Sequence, residues 1–162
     1  MPWTEAVLCT NRLTLRALGE GDRALVRELL TNPRVRRYLG GPVEIPADFD
    51  ANPLGRRPGV WCVSHNGKPI GTVSIADQHH QCPELSYDFL PMAWGNGYAK
   101  EASQAVLAWF WDAEPECRVV IAVTQLANDR SLQLLARLGF VETRRFEEFG
   151  AQQSWQELVR PN

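Results

Sequence analysis

The segment from Glu84 to Ala102 constrains this chain more than any other, because its pattern predicts a strand, a turn with two glycines and then a helix. Helix starts leave backbone N–H groups without partners and carry the positive end of the helix dipole. Gly95 and Gly97 let the backbone approach an anion closely. The segment therefore predicts a site for a phosphate-bearing ligand, with a diphosphate as the first expectation.

The glycine spacing excludes two common phosphate motifs. Gly95 and Gly97 have no third glycine at the offset of dinucleotide-binding folds, and no Gly-Lys-Ser/Thr follows them. The run from Trp94 to Ala102 instead resembles the acetyl-CoA signature of the GNAT N-acetyltransferases, Gln/Arg-x-x-Gly-x-Gly/Ala. Gly97 and Ala99 fall on its last two defined positions. Trp94 takes the first position, a departure common in the subgroup resembling ribosomal-protein alanine N-acetyltransferases.

Two further blocks carry the same resemblance. The segment from Asn128 to Phe140 resembles the Asn-x-x-Ser followed by Leu-Gly-Phe that this subgroup carries after its fifth strand. The segment from Thr10 to Arg16 looks like its opening strand. The three blocks follow the family's order and span nearly the whole chain, so the resemblance covers residues 1–162 as one N-acetyltransferase domain.

The order of strands and helices predicts an α/β fold. A helix joins the strand Glu84 to Leu90 to the apolar, β-branched run Cys117 to Val123, which implies parallel pairing through a right-handed crossover. In the family that this chain resembles, those two strands splay apart and hold the cofactor between them. The expected fold is therefore a GNAT-like mixed, mostly antiparallel sheet flanked by helices, with a splayed parallel pair.

Periodicity and turn residues predict the other elements. They are a strand from Arg12 to Ala17, a helix from Asp22 to about Thr31, a short helix from Arg34 to Leu39, a loop from Gly40 to Gly59, a hairpin of Trp61 to Ser64 and Ile70 to Ile75, a turn from Asp77 to Pro83, a helix from Asp129 to Leu138, and a hairpin of Phe140 to Phe149 and Gln152 to Val159. The long loop could form one wall of an acceptor pocket.

Composition excludes several classes of function. The net charge of −2 and pI near 5.9 provide no basic footprint for nucleic acid. No run of about 18 apolar residues and no secretory signal is visible, which predicts a cytoplasmic protein without a membrane partner. The four cysteines are dispersed, and His79 and His80 lack further ligands at suitable spacing, so no metal site is expected. The two histidines could instead line the acceptor entrance.

The resemblance implies a set of cofactor contacts. Backbone groups near the end of the strand that precedes the glycine turn hold the acyl carbonyl and pantetheine in the family, and backbone N–H groups of the turn hold the diphosphate. The implied acetyl-CoA contacts in this chain are Phe89, Leu90, Trp94, Gly95, Asn96, Gly97, Tyr98, Ala99 and Asn128.

Catalysis needs proximity, a neutral amine and a proton for the leaving thiolate. Glu84, Ser86 and Asp88 share one face of their strand, so the two acids are candidates for the general base. Leu85, Tyr87 and Phe89 share the other face and are expected in the core. Many family members use a tyrosine as general acid, but Leu135 stands at that position here. The resemblance suggests Ser131 as its substitute.

These observations predict an acetyl-CoA-dependent N-acetyltransferase that acetylates a primary amine by direct attack in a ternary complex. The subgroup favours a protein N-terminal amine. Aminoglycosides or other small amines are the alternative acceptors, and a CoA-binding module without catalysis is the rival suggested by Leu135. Phe146, Phe149 and Trp155 in the last hairpin could supply the contact of a homodimer.

Overall fold

Eight strands form one sheet in the computed structural model, which describes residues 6–54, 57–77, 80 and 82–162. The strands are β1 (Leu8–Cys9), β2 (Leu13–Ala17), β3 (Val60–His65), β4 (Lys68–Asp77), β5 (Pro83–Phe89), β6 (Val119–Gln125), β7 (Val141–Glu148) and β8 (Ala151–Val159). Their spatial order is β1-β2-β3-β4-β5-β6-β8-β7. Among these neighbours only β5 and β6 run parallel. The predicted mixed, mostly antiparallel α/β fold is confirmed.

Three α-helices flank the sheet in the described part of the chain. They are α1 (Arg23–Thr31), α2 (Tyr98–Ala113) and α3 (Asp129–Leu138), and short 3-10 turns occupy Glu20–Asp22, Val35–Tyr38 and Pro91–Ala93. The predicted bounds of α3 are confirmed, because Asn128 caps its start and Gly139, at φ 94°, ends it in the left-handed conformation. No helix in the described ranges is long and apolar enough to cross a membrane.

Strand alternation divides the core between the two faces of the sheet. On the α2 face, strand residues such as Trp61, Val73 and Leu85 pack with Val106 and Phe110 of α2. Burying a large apolar side chain contributes about 2 kcal/mol, so this face holds most of the apolar stabilisation. On the smaller α1 face, the cluster consists of Leu25, Leu29, Cys62 and Leu90.

A buried carboxylate ties β2 to the start of α1. Asp22 is 1% exposed and accepts two hydrogen bonds from Arg16, at 2.8 and 2.9 Å, and one from the Gly19 N–H at 2.8 Å. Burial alone would raise the pKa of Asp22, but the bonds from Arg16 and Gly19 outweigh it and hold that pKa below its ordinary value. Burial also raises the pKa of the neighbouring Cys62 thiol to about 11, so this cysteine stays protonated and unreactive at neutral pH.

Several predicted elements differ in detail. The segment from Arg34 to Leu39 forms a 3-10 turn over Val35–Tyr38, since the stretch between Pro33 and the glycines at positions 40 and 41 is too short for a stable α-helix. The strand predicted from Cys117 begins at Val119, because the Cys117 N–H bonds to Glu114 O in a turn. The two-residue strand β1 was not predicted. Residues 78, 79 and 81 of the predicted turn lie outside the described residues.

Candidate active site

A gap between β5 and β6 is the opening around which the candidate site is built. The strands pair at Glu84↔Ile121, and within the described residues no further pair joins them. Beyond that pair, β6 continues along β8 and a cavity of about 800 Å³ separates it from β5. The cavity is lined by residues 34–39, 57, 60, 72, 74, 85–89, 94, 99, 122–124, 127–131, 134 and 135. It is therefore bordered by residues from both faces of the sheet.

The turn before α2 has the conformation of an anion cradle. Gly95 and Gly97 both have φ of 78°, a left-handed conformation that glycine adopts without strain. In the described part of the chain, the backbone N–H groups of residues 95–100 donate to no acceptor. No atom lies within 4 Å of a Cβ built on Gly95, and the nearest to one on Gly97 is an Arg12 nitrogen at 3.5 Å. A diphosphate fits this open, donor-rich helix start.

Arg12, the residue before β2, contacts the glycine turn that forms the cradle. Its guanidinium donates to the Asn96 carbonyl at 2.9 Å and pairs with Glu101 at 2.7 Å, and it lies 4.6 Å from the ring centre of Tyr98. Burial alone would raise the pKa of Glu101, but hydrogen bonds from Thr10 and Arg12 hold it below its ordinary value. By holding the Asn96 carbonyl, Arg12 keeps that peptide group in a fixed orientation. The sequence pattern gave no signal for this contact, which joins residues 84 positions apart.

The end of β5 presents one backbone donor to the gap. The Leu90 N–H bonds to Ile70 O at 2.9 Å, so in an antiparallel ladder the Phe89 N–H points to the opposite side, where β6 has diverged. The Phe89 carbonyl, which shares that direction, accepts a hydrogen bond from Trp94 Nε1 at 2.8 Å. Of the two predicted backbone contacts, Phe89 thus retains a donor facing the gap, whereas the N–H of Leu90 is already engaged.

A hydrogen-bonded pair of hydroxyls crosses the cavity. Tyr87 Oη lies 2.6 Å from Ser131 Oγ, joining β5 to the first turn of α3. Burial raises the pKa of Tyr87 to about 12, although the bond to Ser131 acts in the opposite direction, so the phenol keeps its proton at neutral pH. Tyr87 was expected in the core, and it is partly buried and packs against the core cluster of the α2 face, while its hydroxyl reaches the cavity. A phenol thus reaches the cavity from β5, whereas the α3 position of Leu135 offers none.

The first turn of α3 orders the residues next to this pair. Asn128 Oδ1 accepts a hydrogen bond from the Ser131 N–H at 3.2 Å, so this predicted cofactor contact acts as the helix cap. Both residues line the cavity. Leu135, one turn further on, is 1% exposed and packs in the core.

The two candidate bases occupy different positions along β5. Asp88 lines the cavity on the α1 face and is half-buried, and its carboxylate accepts no hydrogen bond from any described residue. Burial raises its pKa above the ordinary value, while the nearby charge of Arg36 acts in the opposite direction. Glu84 lies at the closed end of the gap, paired with Ile121, and is not among the lining residues. The structure therefore brings Asp88, and not Glu84, to the cavity.

Other predicted features lie away from the cavity. His79 is outside the described residues, whereas His80 packs against Trp155 and is 3.8 Å from Glu148. Trp155 is itself 7% exposed, and Phe149 at 83% is the exposed aromatic residue of that hairpin. Of the described residues in the loop from Gly40 to Gly59, only Arg57 lines the cavity. No group of metal-binding side chains occurs in the part of the chain that the structure describes.

Comparison with known proteins identifies the family. Residues 12–141 match the acetyltransferase (GNAT) domain. This chain belongs to the GNAT acetyltransferase family. The uncharacterized N-acetyltransferase YoaA of Bacillus subtilis is 27% identical over 146 residues, which cover 83% of this chain and 82% of that protein. The GNAT fold uses acetyl-CoA, so the chain is an acetyl-CoA-dependent acetyltransferase, and the open N–H groups of the cradle fit the diphosphate of that molecule.

Solved structures share the fold. A GNAT acetyltransferase from Bacillus anthracis has a TM-score of 0.80 at 20% identity, covering 95% of this chain and 98% of that one. Spermidine N-acetyltransferase from Vibrio cholerae, in complex with CoA and spermine, has a TM-score of 0.75 at 20% identity over 93% and 96% of the two chains. Ribosomal-protein-S5-alanine acetyltransferase from Vibrio fischeri has a TM-score of 0.70 at 16% identity over 95% and 96%. At these identities the likeness is one of fold.

Replacing Gly97 by glutamate tests the cradle. Gly97→Glu places a carboxylate beside the N–H groups that would bind the diphosphate, so the affinity for acetyl-CoA measured by calorimetry should fall at least about a hundredfold. Gly150→Glu is the matched control, because Gly150 has φ of 71° and open space around it but lies in the β7–β8 turn. Unchanged affinity in a folded Gly97→Glu protein contradicts the cradle.

Proposed function

We propose that this GNAT acetyltransferase transfers the acetyl group of acetyl-CoA directly to a primary amine, and that the acceptor is a protein N-terminal amine. The observation that carries the proposal is the cavity between β5 and β6, which connects the cradle side of the sheet with Asp88 on the other side. Direct attack in a ternary complex is supported because no cysteine is among the described residues that line it.

The residues that would hold acetyl-CoA lie on the α2 face. Backbone N–H groups of residues 95–100 would bind the diphosphate, Asn128 and Trp94 would border the arm, and the Phe89 N–H would donate to the acyl oxygen. A donor fixed at that oxygen stabilises the negative charge that develops there as the amine attacks. When bound, acetyl-CoA supplies an activated thioester, so the protein needs no covalent intermediate.

Asp88 is the proposed acceptor of the amine proton. Its carboxylate borders the cavity and has no hydrogen-bond partner among the described residues, so it is free to bind an ammonium group. Burial raises its pKa and makes it a stronger proton acceptor than an exposed aspartate. Glu84 is the alternative base, but it would need a water to reach the cavity from the closed end of the gap.

Tyr87 and Ser131 are proposed to serve the leaving sulfur together. If the Tyr87 hydroxyl donates to Ser131 Oγ, the hydrogen of Ser131 remains available to the cavity, and the bond from Tyr87 strengthens it as a donor. This arrangement supplies the proton-donor function for which Leu135 has no group. It therefore weighs against a CoA-binding module without catalysis.

The protein N-terminal acceptor is supported by the resemblance of the Trp94 to Ala102 and Asn128 to Phe140 blocks to ribosomal-protein alanine N-acetyltransferases. Aminoglycosides and other small amines are the alternative class, and a spermidine acetyltransferase shares the fold. We also propose that residues 1–162 act as one domain and that the protein is cytoplasmic. Four free cysteines are in keeping with a reducing compartment. A homodimer would use the exposed Phe149.

An acetyl-transfer assay with Asp88→Asn tests the proposal. With acetyl-CoA and a peptide bearing a free N-terminal alanine, the protein should release CoA and yield N-acetylated peptide by mass spectrometry. Asp88→Asn should lower kcat/KM about a hundredfold. In the native protein kcat/KM should fall as pH falls through the raised pKa of Asp88, because the protonated carboxyl cannot accept a proton. Asp88→Asn should lack this component and retain only the titration of the acceptor amine.

The control acceptor is the same peptide already acetylated at its N-terminus, which should release no CoA. Tight acetyl-CoA binding without acetylation of any amine would indicate the non-catalytic module. If Glu84→Gln and not Asp88→Asn removes the pH-dependent component, the base is Glu84.

The hydroxyl pair generates its own prediction. Tyr87→Phe and Ser131→Ala should each lower kcat about tenfold while the acetyl-CoA dissociation constant stays unchanged, since both serve the departure of sulfur and not binding. The double variant should be no slower than the slower single variant, because the two hydroxyls act as one unit. Additive losses in kcat would contradict the claim that the hydroxyls act as one unit, and a loss of acetyl-CoA affinity with normal kcat would assign the pair a structural role.

A further inference from the structure

The cavity that contains Asp88 is unusually rich in arginine. Its described lining includes five arginines and two aspartates. The arginines are Arg34, Arg36, Arg37, Arg57 and Arg130, and the aspartates are Asp88 and Asp129. This excess of positive charge contrasts with a chain whose formal net charge is −2.

Four of these guanidinium groups have no anionic partner in the described part of the chain. Within the described residues, no carboxylate pairs with Arg34, Arg37, Arg57 or Arg130. Elsewhere the chain forms close ion pairs between Arg12 and Glu101, Arg16 and Asp22, Arg23 and Glu20, Arg27 and Asp50, and Arg145 and Glu142, all at 2.8 Å or less. Among the described residues, four arginines of the cavity lining thus lack the carboxylate partner that five arginines elsewhere have.

The arginines of the 3-10 turn face the acceptor side of the gap. Val35, in the same turn, packs with the Leu25, Leu29, Cys62 and Leu90 cluster on the α1 face. Asp88 opens to this face too, because its cross-strand partner Thr72 pairs in turn with Cys62. The charge of Arg36 reaches the Asp88 carboxylate. The 3-10 turn therefore lies on the α1 face, where Arg36 and Arg37 line the same cavity as Asp88.

Arg34 and Arg130 lie at the boundary between the cradle side and the acceptor side of the gap. Their guanidinium carbons lie 5.0 and 3.8 Å from the ring centre of Trp94, which borders the gap. Arg37 and Arg57 are exposed, and the Arg37 guanidinium lies 5.3 Å from the ring centre of the neighbouring Tyr38. They are available to a ligand on the acceptor side.

We infer that the acceptor is a peptide N-terminus followed by acidic residues, bound with its amine at Asp88 and its carboxylates at Arg37 and Arg57. This inference rests on the proposed function. A polyamine or an aminoglycoside places further positive charges near the unpaired guanidinium groups, which repel it. An acidic peptide supplies carboxylates for the arginines, while its one ammonium group meets the carboxylate of Asp88.

Three peptides that differ only in charge test the inference. C-terminally amidated Ala-Glu-Glu-Leu, Ala-Gln-Gln-Leu and Ala-Lys-Lys-Leu, together with spermidine, are compared by CoA release at low and high salt. At low salt, kcat/KM for the acidic peptide should exceed that for the neutral peptide about tenfold and that for the basic peptide by more, and the differences should shrink as salt screens the charges.

Paired arginine variants identify the groups responsible. Arg37→Gln with Arg57→Gln should bring the acidic and neutral peptides to within about twofold of each other, with the KM for acetyl-CoA unchanged. Arg118→Gln with Arg137→Gln removes the same charge from exposed residues outside the cavity lining and should preserve the preference. A preference that survives the first pair of substitutions overturns the assignment to Arg37 and Arg57.

The outcomes separate this inference from the proposed function. If spermidine, the basic peptide or the neutral peptide is the best acceptor, the protein is an amine acetyltransferase and the acidic-peptide inference is wrong. If none of the four compounds is acetylated although acetyl-CoA binds, the acidic-peptide inference is wrong, and a wider panel of amines then decides whether the proposed acetyl transfer fails as well.

Discussion

The divergence of β5 from β6 is the constraint on which the other features of the site depend. Pairing at Glu84↔Ile121 holds the two strands in one sheet, and the absence of later pairs within the described residues leaves an opening through it. Backbone polar groups along such a gap need other partners. The Phe89 carbonyl accepts a hydrogen bond from Trp94, and the Phe89 N–H faces the gap. Continuous pairing would remove both the donor and the cavity.

The two sides of the gap carry different chemistry. On the α2 face, the N–H groups of residues 95–100 and the hydroxyls of Tyr87 and Ser131 are donors, which suits a molecule rich in phosphate with a departing thiolate. On the α1 face, the Asp88 carboxylate lines the same cavity as Arg36 and Arg37 of the 3-10 turn. The sheet thus separates the groups that we propose bind the acetyl donor from those that we propose bind the amine, and the gap joins the two sides.

Sequence patterns predicted the backbone better than the contacts between side chains. The strand, glycine turn and helix from Glu84 to Ala102 were predictable because periodicity and glycine placement are local properties. The roles of Arg12 and Tyr87 were not. Arg12 reaches Asn96 across 84 positions, and the partner of Tyr87 depends on how α3 packs. The alternation of side chains along β5 places Asp88 and Glu84 on the same face of the sheet. Only the point at which β5 and β6 diverge distinguishes the position of one acid from that of the other.

The most direct test of the account is an NMR titration of the backbone amides. Saturating CoA should shift the amides of residues 95–100 and of Phe89, because the former bind the diphosphate and the latter faces the arm. Pantetheine, which lacks the diphosphate, should shift Phe89 and leave residues 95–100 in place. Amides 95–100 that do not respond to saturating CoA would contradict the claim that this turn binds the diphosphate and positions the thioester in the gap.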